Sequence, residues 1–396
     1  MSRDRPVRSR LLAALVLALV LALACSTSLR PPAGRSQTKA SPGRAQGAPS
    51  APPRTGTIEE FVPEAVSFVE AHRGLRFKEP VKVDHLADEQ FSQRIVALQR
   101  RDSADTDRQA KIYRALGLVG RDVDVEQAEE ELVASGVIGY YDPKTKELVV
   151  RGEAATPAVK HVVVHELTHA LQDQWFQLEQ GQKDKDDDAA LAYTALVEGD
   201  AVRIEREYVA GLPAAERRQV TQEAGGAPPP EVPRVLVELL SFPYQLGPSF
   251  TDAVLKARGQ EGLDQAFRER PSTSSQILHP DRFLAGDQPQ AVADPPADGP
   301  VFDRGAIGEV GLDLLLEDLV RTSALSSADA RTATQGWTGD RYVAWARADG
   351  YCLRARFATA SPEAAQALSS ALQKVAATRP GMSVETGPQP VLTSCG

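Results

Sequence analysis

Two histidines four residues apart, His165 and His169 in the run His165-Glu166-Leu167-Thr168-His169, constrain this chain more than any other feature. On a helix their imidazoles share one face and can grip a single zinc ion, while Glu166 lies where it can take a proton from water held at that ion. A helix is expected there on independent grounds. Thr156-Pro157 reads as an N-cap followed by proline at the first helical position, and neither glycine nor further proline follows until about Glu179. Val162, Val163, Val164, Leu167, Ala170 and Leu171 would bury this helix, which sets the metal face inside a fold.

A catalytic zinc takes roughly three protein ligands and keeps a further position for water. His161, Asp173, Glu198 and Asp200 are within reach in sequence, and Glu198 is favoured on geometry. The acidic run from Gln182 to Asp188 reads as a loop between antiparallel helices. The outward path from His169 is about 15 Å and the return from Ala189 to Glu198 about 13.5 Å, at 1.5 Å per residue. Glu198 therefore comes back level with the histidines. His161 reads more readily as a packed core histidine, and Asp173 as a capping or second-shell group. Asp200 is a candidate for orienting a ligating histidine, although it points about 200° away from Glu198 and needs local distortion at Gly199 for that role.

With this ligand set the chain resembles the gluzincin division of the zincin metallopeptidases, and its His-Glu-Leu-Thr-His-Ala run is similar to that of thermolysin-like enzymes. An aspartate follows Glu198 after two places, where the thermolysin family has it after four, which argues against membership of that family itself. The wider pattern resembles a group of uncharacterised bacterial metallopeptidases, often lipoproteins. It is carried by Gly139-Tyr140-Tyr141-Asp142-Pro143, Phe242-Pro243-Tyr244, Gln276-Ile277-Leu278-His279-Pro280 and Gly336-Trp337-Thr338-Gly339-Asp340-Arg341-Tyr342. The resemblance implies an α+β, zincin-like fold, mostly helical with a small sheet, and hydrolysis of peptide bonds in a peptide or protein substrate. It also implies an edge strand that aligns substrate, for which Leu148-Val149-Val150 is placed. Tyr244 and His279 are candidate donors to the oxyanion, against structural hydrogen bonds as the plainer use of each.

The N-terminus bears on location. Arg3, Arg5, Arg8 and Arg10 precede an apolar stretch from Leu11 to Ala24 that has the build of a secretory signal and is short for a membrane span. Its end, Leu21-Ala22-Leu23-Ala24-Cys25, resembles a lipobox, with Cys25 as the lipidated residue; simple cleavage near Ala24 is the alternative. The expected organisation is a signal peptide over residues 1–24, a disordered tether over 25–56, a zincin-like domain over 57–290 and a small α+β domain over 300–396. The location that follows is the bacterial cell envelope, with a lipid anchor in the membrane. In a Gram-negative source that is the outer membrane, facing the periplasm. With Cys25 given to lipid, Cys352 and Cys395 form an even pair that an oxidising compartment could join, two buried thiols being the alternative. A net charge of −9 without a basic stripe offers nothing for nucleic acid. The expected activity is that of an exported zinc peptidase, and its alternative a non-catalytic envelope lipoprotein that uses the scaffold for binding or assembly. Retention of Glu166 favours the enzyme, because a structural zinc has no need of that carboxylate.

Overall fold

The computed structural model describes residues 16–19, 56–99, 103–134, 136–181, 186–223 and 229–396. The readings of residues 1–24 as a signal, of 25–56 as a tether and of Cys25 as a lipid site fall outside these, apart from Val16–Leu19 and the last residue of the tether. No described helix is long and apolar enough to cross a membrane.

The architecture is α+β, mostly helical with two small sheets. The first sheet is ordered β1-β3-β4-β2, from β1 (Val16–Leu19), β2 (Lys82–Leu86), β3 (Val137–Asp142) and β4 (Glu147–Arg151). β3 pairs antiparallel with both β1 and β4, and β4 runs parallel to β2. The turn Asp142-Pro143-Lys144-Thr145 closes the β3–β4 hairpin, where Asp142 accepts from the Lys144 N–H at 2.8 Å.

Both faces of this sheet are covered. Tyr141, Leu148 and Val150 pack with α1 (Ile58–Arg73) and, later in the chain, with α5 (Pro157–Phe176). Val137, Tyr140 and Val149 face α2 (Asp88–Gln99) through Phe91, Ile95 and Leu98. Alternate strand residues point to opposite faces, so a doubly covered strand reads as an unbroken apolar run, as Leu148-Val149-Val150 does. That run is internal to the sheet and both its edges are paired, which corrects the expectation of a substrate-aligning edge there. Two further helices, α3 (Ser103–Ala115) and α4 (Val125–Ala134), precede the hairpin.

The helix that carries the two histidines is α5. Thr156 is its N-cap and accepts from the Val159 N–H at 3.2 Å, Pro157 opens it, and a left-handed Gln177 closes it. After the single-turn α6 (Leu178–Gly181), α7 (Asp187–Gly211) runs back beside α5 from the cap Asp186. It is followed by α8 (Ala214–Glu223) and by α9 (Arg234–Glu269), which bends at Gly259. Where α9 crosses α7, a β-carbon on Gly199 would overlap the Gly247 carbonyl, and one on Gly247 would overlap that of Ala195. Only glycine at both places lets the two backbones approach so closely. Gly199 stays helical, so the distortion that a direct histidine-orienting role for Asp200 would need is absent, and the residue serves the helix crossing.

Past α10 (Ser274–Leu278) and α11 (Pro280–Ala285), a second, wholly antiparallel sheet is ordered β5-β6-β7-β9-β8. Its strands are β5 (Val301–Gly305), β6 (Trp337–Arg347), β7 (Gly350–Thr359), β8 (Met382–Glu385) and β9 (Val391–Cys395), with α12 (Gly308–Arg321), α13 (Ser327–Gln335) and α14 (Pro362–Thr378) between them. Cys352 of β7 and Cys395 of β9 face each other across the ladder and form a disulfide. Ile112, Ala115 and Leu116, at the end of α3 and just past it, pack into the core of this sheet with Leu353, Phe357 and Leu392, so the two halves share apolar contacts.

Candidate metal centre

Glu198 stands midway along α7, on the side turned to α5. Its Oε2 lies 3.1 Å from His165 Nε2 and 3.3 Å from His169 Nε2, and the two Nε2 atoms are 2.9 Å apart. Among the described residues, His165, His169 and Glu198 are the group of three whose ligand atoms converge closely enough to hold a metal ion. Zinc binds nitrogen and oxygen at about 2.0–2.1 Å, and tetrahedral angles then set neighbouring donors about 3.3 Å apart. The two separations to Glu198, 3.1 and 3.3 Å, lie close to that spacing and the one between the nitrogens, 2.9 Å, is shorter; two imidazoles with one carboxylate fit the donor chemistry of zinc.

The rear nitrogens explain why the front ones converge. His165 Nδ1 donates to Glu205 Oε2 at 2.9 Å, and His169 Nδ1 donates to Gln172 Oε1 at 2.9 Å. A ring anchored through Nδ1 presents Nε2 forward. Neither Glu205 nor Gln172 is among the residues singled out from the sequence, yet both carry a local signal. Glu205 is seven places after Glu198, two turns on along the same face of α7, and Gln172 is three places after His169.

Burial and mutual contact act against each other on all three groups. Burial opposes charge on His165, but hydrogen bonds to Glu198 and Glu205 and their negative charges outweigh it and hold the ring well above the usual histidine range. Burial pulls His169 below that range despite Glu198. Burial also opposes ionisation of Glu198, yet the two imidazoles beside it, His169 foremost, bring its carboxyl down to about 2.

Glu166, fully buried, accepts the Tyr141 N–H of β3 at 2.7 Å through Oε2. The approach of β3 to α5 depends on Gly139, where a β-carbon would lie 3.0 Å from Val162 Cγ1 and 3.9 Å from Glu166 Cγ. Thus the strand that touches Glu166 is β3, whose other neighbour is β1.

The remaining candidates separate by their contacts. Tyr244 of α9 comes beside the centre, its ring 6.3 Å from that of His165 at an interplanar angle of 24°. His279 makes the plainer contact: its Nε2 meets Glu309 Oε1 at 2.8 Å and ties the α10–α11 junction to α12. Asp173 accepts from the Tyr141 hydroxyl at 2.8 Å, from the Leu178 N–H at 3.0 Å and from Lys146 Nζ, so it braces the helix end against β3 and touches neither histidine. Asp200 bonds Arg73 at 2.6 Å and Arg203 at 2.9 Å and reaches His169 only through Gln172. His161 is buried in the core with Glu205 3.7 Å away and no hydrogen-bond partner on either ring nitrogen.

A family profile described as a domain of unknown function, DUF8575, matches residues 300–393. That stretch contains the second sheet with α12, α13 and α14, and none of the residues of the metal centre. Among curated proteins nothing matches the chain. Among solved structures nothing matches it.

Proposed function

We propose that this chain is an exported zinc metallopeptidase of the zincin type, gluzincin-like in its ligand set, that hydrolyses peptide bonds in peptide or protein substrates. The observation that carries the reading is the convergence of His165 Nε2, His169 Nε2 and Glu198 Oε2, with the general-base candidate Glu166 one residue from the first ligand.

His165, His169 and Glu198 hold the ion, and Glu205 and Gln172 keep the two rings turned toward it. Zinc, when bound, acts as a Lewis acid that polarises a carbonyl and makes water more acidic. Glu166 takes a proton from the attacking water as its oxygen bonds to the scissile carbonyl carbon. It then delivers that proton to the departing amine as the C–N bond breaks. Tyr244, whose ring lies 6.3 Å from that of His165, is the candidate donor to the developing oxyanion. An extended substrate is supported by β3, because the strand that carries the Glu166 contact also accepts Val16–Leu19 as an antiparallel neighbour. The leader and lipobox features around Cys25 support export and a lipid anchor.

Glu166→Gln tests the chemistry, since it conserves volume and leaves both imidazoles in place. The expected result is full zinc retention with hydrolysis of an unfolded protein such as casein reduced by about 10²–10⁴-fold. A variant as active as wild type places the chemistry elsewhere. A zinc-loaded wild type that cleaves no member of a broad peptide library favours the binding scaffold.

A further inference from the structure

The two histidines are held from behind by unlike groups, a carboxylate on His165 and a primary amide on His169, and the amide carries more information. The geometry points to Gln172 as a positioning residue that fixes the tautomer of His169 and pins the second metal ligand to the third. The inference rests on the zinc reading for its ligand; the hydrogen bonds that carry it are independent of any metal.

Gln172 is fully buried between α5 and α7. Its Nε2 lies 3.1 Å from the Val197 carbonyl oxygen and 3.1 Å from Asp200 Oδ2. A carbonyl and an ionised carboxylate only accept, so both amide hydrogens must face them. Turned over, the amide would set its own oxygen against two oxygens in a buried site, which is costly. Oε1 is thereby left facing His169 Nδ1 at 2.9 Å, and because an amide oxygen only accepts, that nitrogen carries the hydrogen. In the neutral ring the lone pair then sits on Nε2, the atom turned toward Glu198.

The device is locked from outside. Asp200 cannot swing away, because it pairs with Arg73 at 2.6 Å and Arg203 at 2.9 Å. Arg73 is itself fully buried, pairs with Asp264 at 2.7 Å, and lies over the rings of Phe176 and Phe267. The other acceptor, Val197, immediately precedes Glu198. One amide thus binds the His169 ring and the backbone beside Glu198, and sets the spacing of the two ligands across the helix pair.

The test uses wild type, Gln172→Met and Gln172→Glu, with two readouts: imidazole nitrogen assignments by ¹H–¹⁵N NMR on metal-free protein, and zinc affinity by chelator competition. In wild type His169 is expected as the Nδ1–H tautomer. Gln172→Met, close in volume and without polar atoms, is expected to mix the tautomers and to weaken zinc roughly 10–100-fold. Gln172→Glu keeps an acceptor for His169 but cannot donate to Val197 and places a second carboxylate beside Asp200. It is expected to keep the tautomer and still lose affinity. A wild-type ring protonated at Nε2 overturns the inference even if neither variant folds. So does a folded Met variant with unchanged tautomer and affinity. A wild type with the Nδ1–H ring and no zinc affinity supports the tautomer assignment and sinks the metal reading, so the two failures are distinguishable.

Discussion

Glu198 and Asp340 are both carboxylates buried in the protein, one between the helices of the metal centre and one in the second sheet, and their partners differ in kind. Asp340 accepts from the Ile307 N–H at 2.7 Å, the Gly308 N–H at 2.9 Å and Trp337 Nε1 at 2.9 Å. Every partner is a donor, two of them the free N–H groups at the start of α12, and these bonds oppose the burial that pushes its carboxyl up to about 6. Glu198 Oε2 faces two imidazole nitrogens that crowd each other at 2.9 Å. A buried carboxylate is therefore no sign of function by itself. Convergence of acceptors, held in place by groups behind them, is such a sign.

On this contrast, weakening the second sheet is expected to leave the centre intact. The sheet's disulfide closes a separation of 43 residues between Cys352 and Cys395. In the chain-entropy description a closed loop of that size contributes about 4 kcal/mol. Replacing both cysteines with serine is expected to lower unfolding stability by up to that amount in denaturant titrations, with zinc binding of the native protein unchanged. Loss of the zinc site together with the disulfide breaks the division between the halves.

A smaller effect is expected at the seam. Asp188 opens α7, accepts the Ser274 N–H through both oxygens at 3.1 and 3.2 Å, and lies against Gly308 at the start of α12. Burial, with help from Asp186 and Asp340, pushes its carboxyl up to about 8, over the opposing hydrogen bond from Ser274. The folded state thus binds a proton that the unfolded chain gives up above its ordinary value of 3.8. Stability from this group is largest below that value and falls as pH rises toward about 8. Asp188→Asn keeps the shape without the charge. In the presence of chelator it is expected to flatten the pH dependence of thermal unfolding across that window and to gain on wild type at the alkaline end. A variant with the wild-type slope assigns the pH dependence to other acids.

What could be read from the sequence follows from the range of the interactions. The placing of His165 and His169 on one helical face, and the start of that helix at Thr156 and Pro157, depend on neighbours within a turn. The return of Glu198 depends on two helix lengths and a loop, and the same arithmetic reaches Glu205 two turns further on. The lock on His169 was not legible. Arg73 ends α1, nearly a hundred residues before the histidines, and nothing in its neighbourhood announces burial against Asp200, Asp264 and two phenylalanines. Asp200 looked misdirected from the helix period alone, and its link to His169 appears only once Gln172 stands between them. Likewise Leu148-Val149-Val150 is apolar enough for a strand, but its sequence cannot say that β1, β3 and α2 leave it internal. The partner of His279 was not legible for the same reason, since Glu309 lies thirty residues away in the chain.

Zinc titration of the purified protein beside Glu198→Gln tests the centre most directly, because the variant preserves shape while removing the buried negative charge between the two imidazoles. The expected result is one zinc per wild-type chain, displaced only by strong chelators, and an affinity lowered about tenfold or more in the variant. A wild type that binds no zinc, or a Glu198→Gln protein that binds it with undiminished affinity, would contradict the assignment of His165, His169 and Glu198 as the ligands.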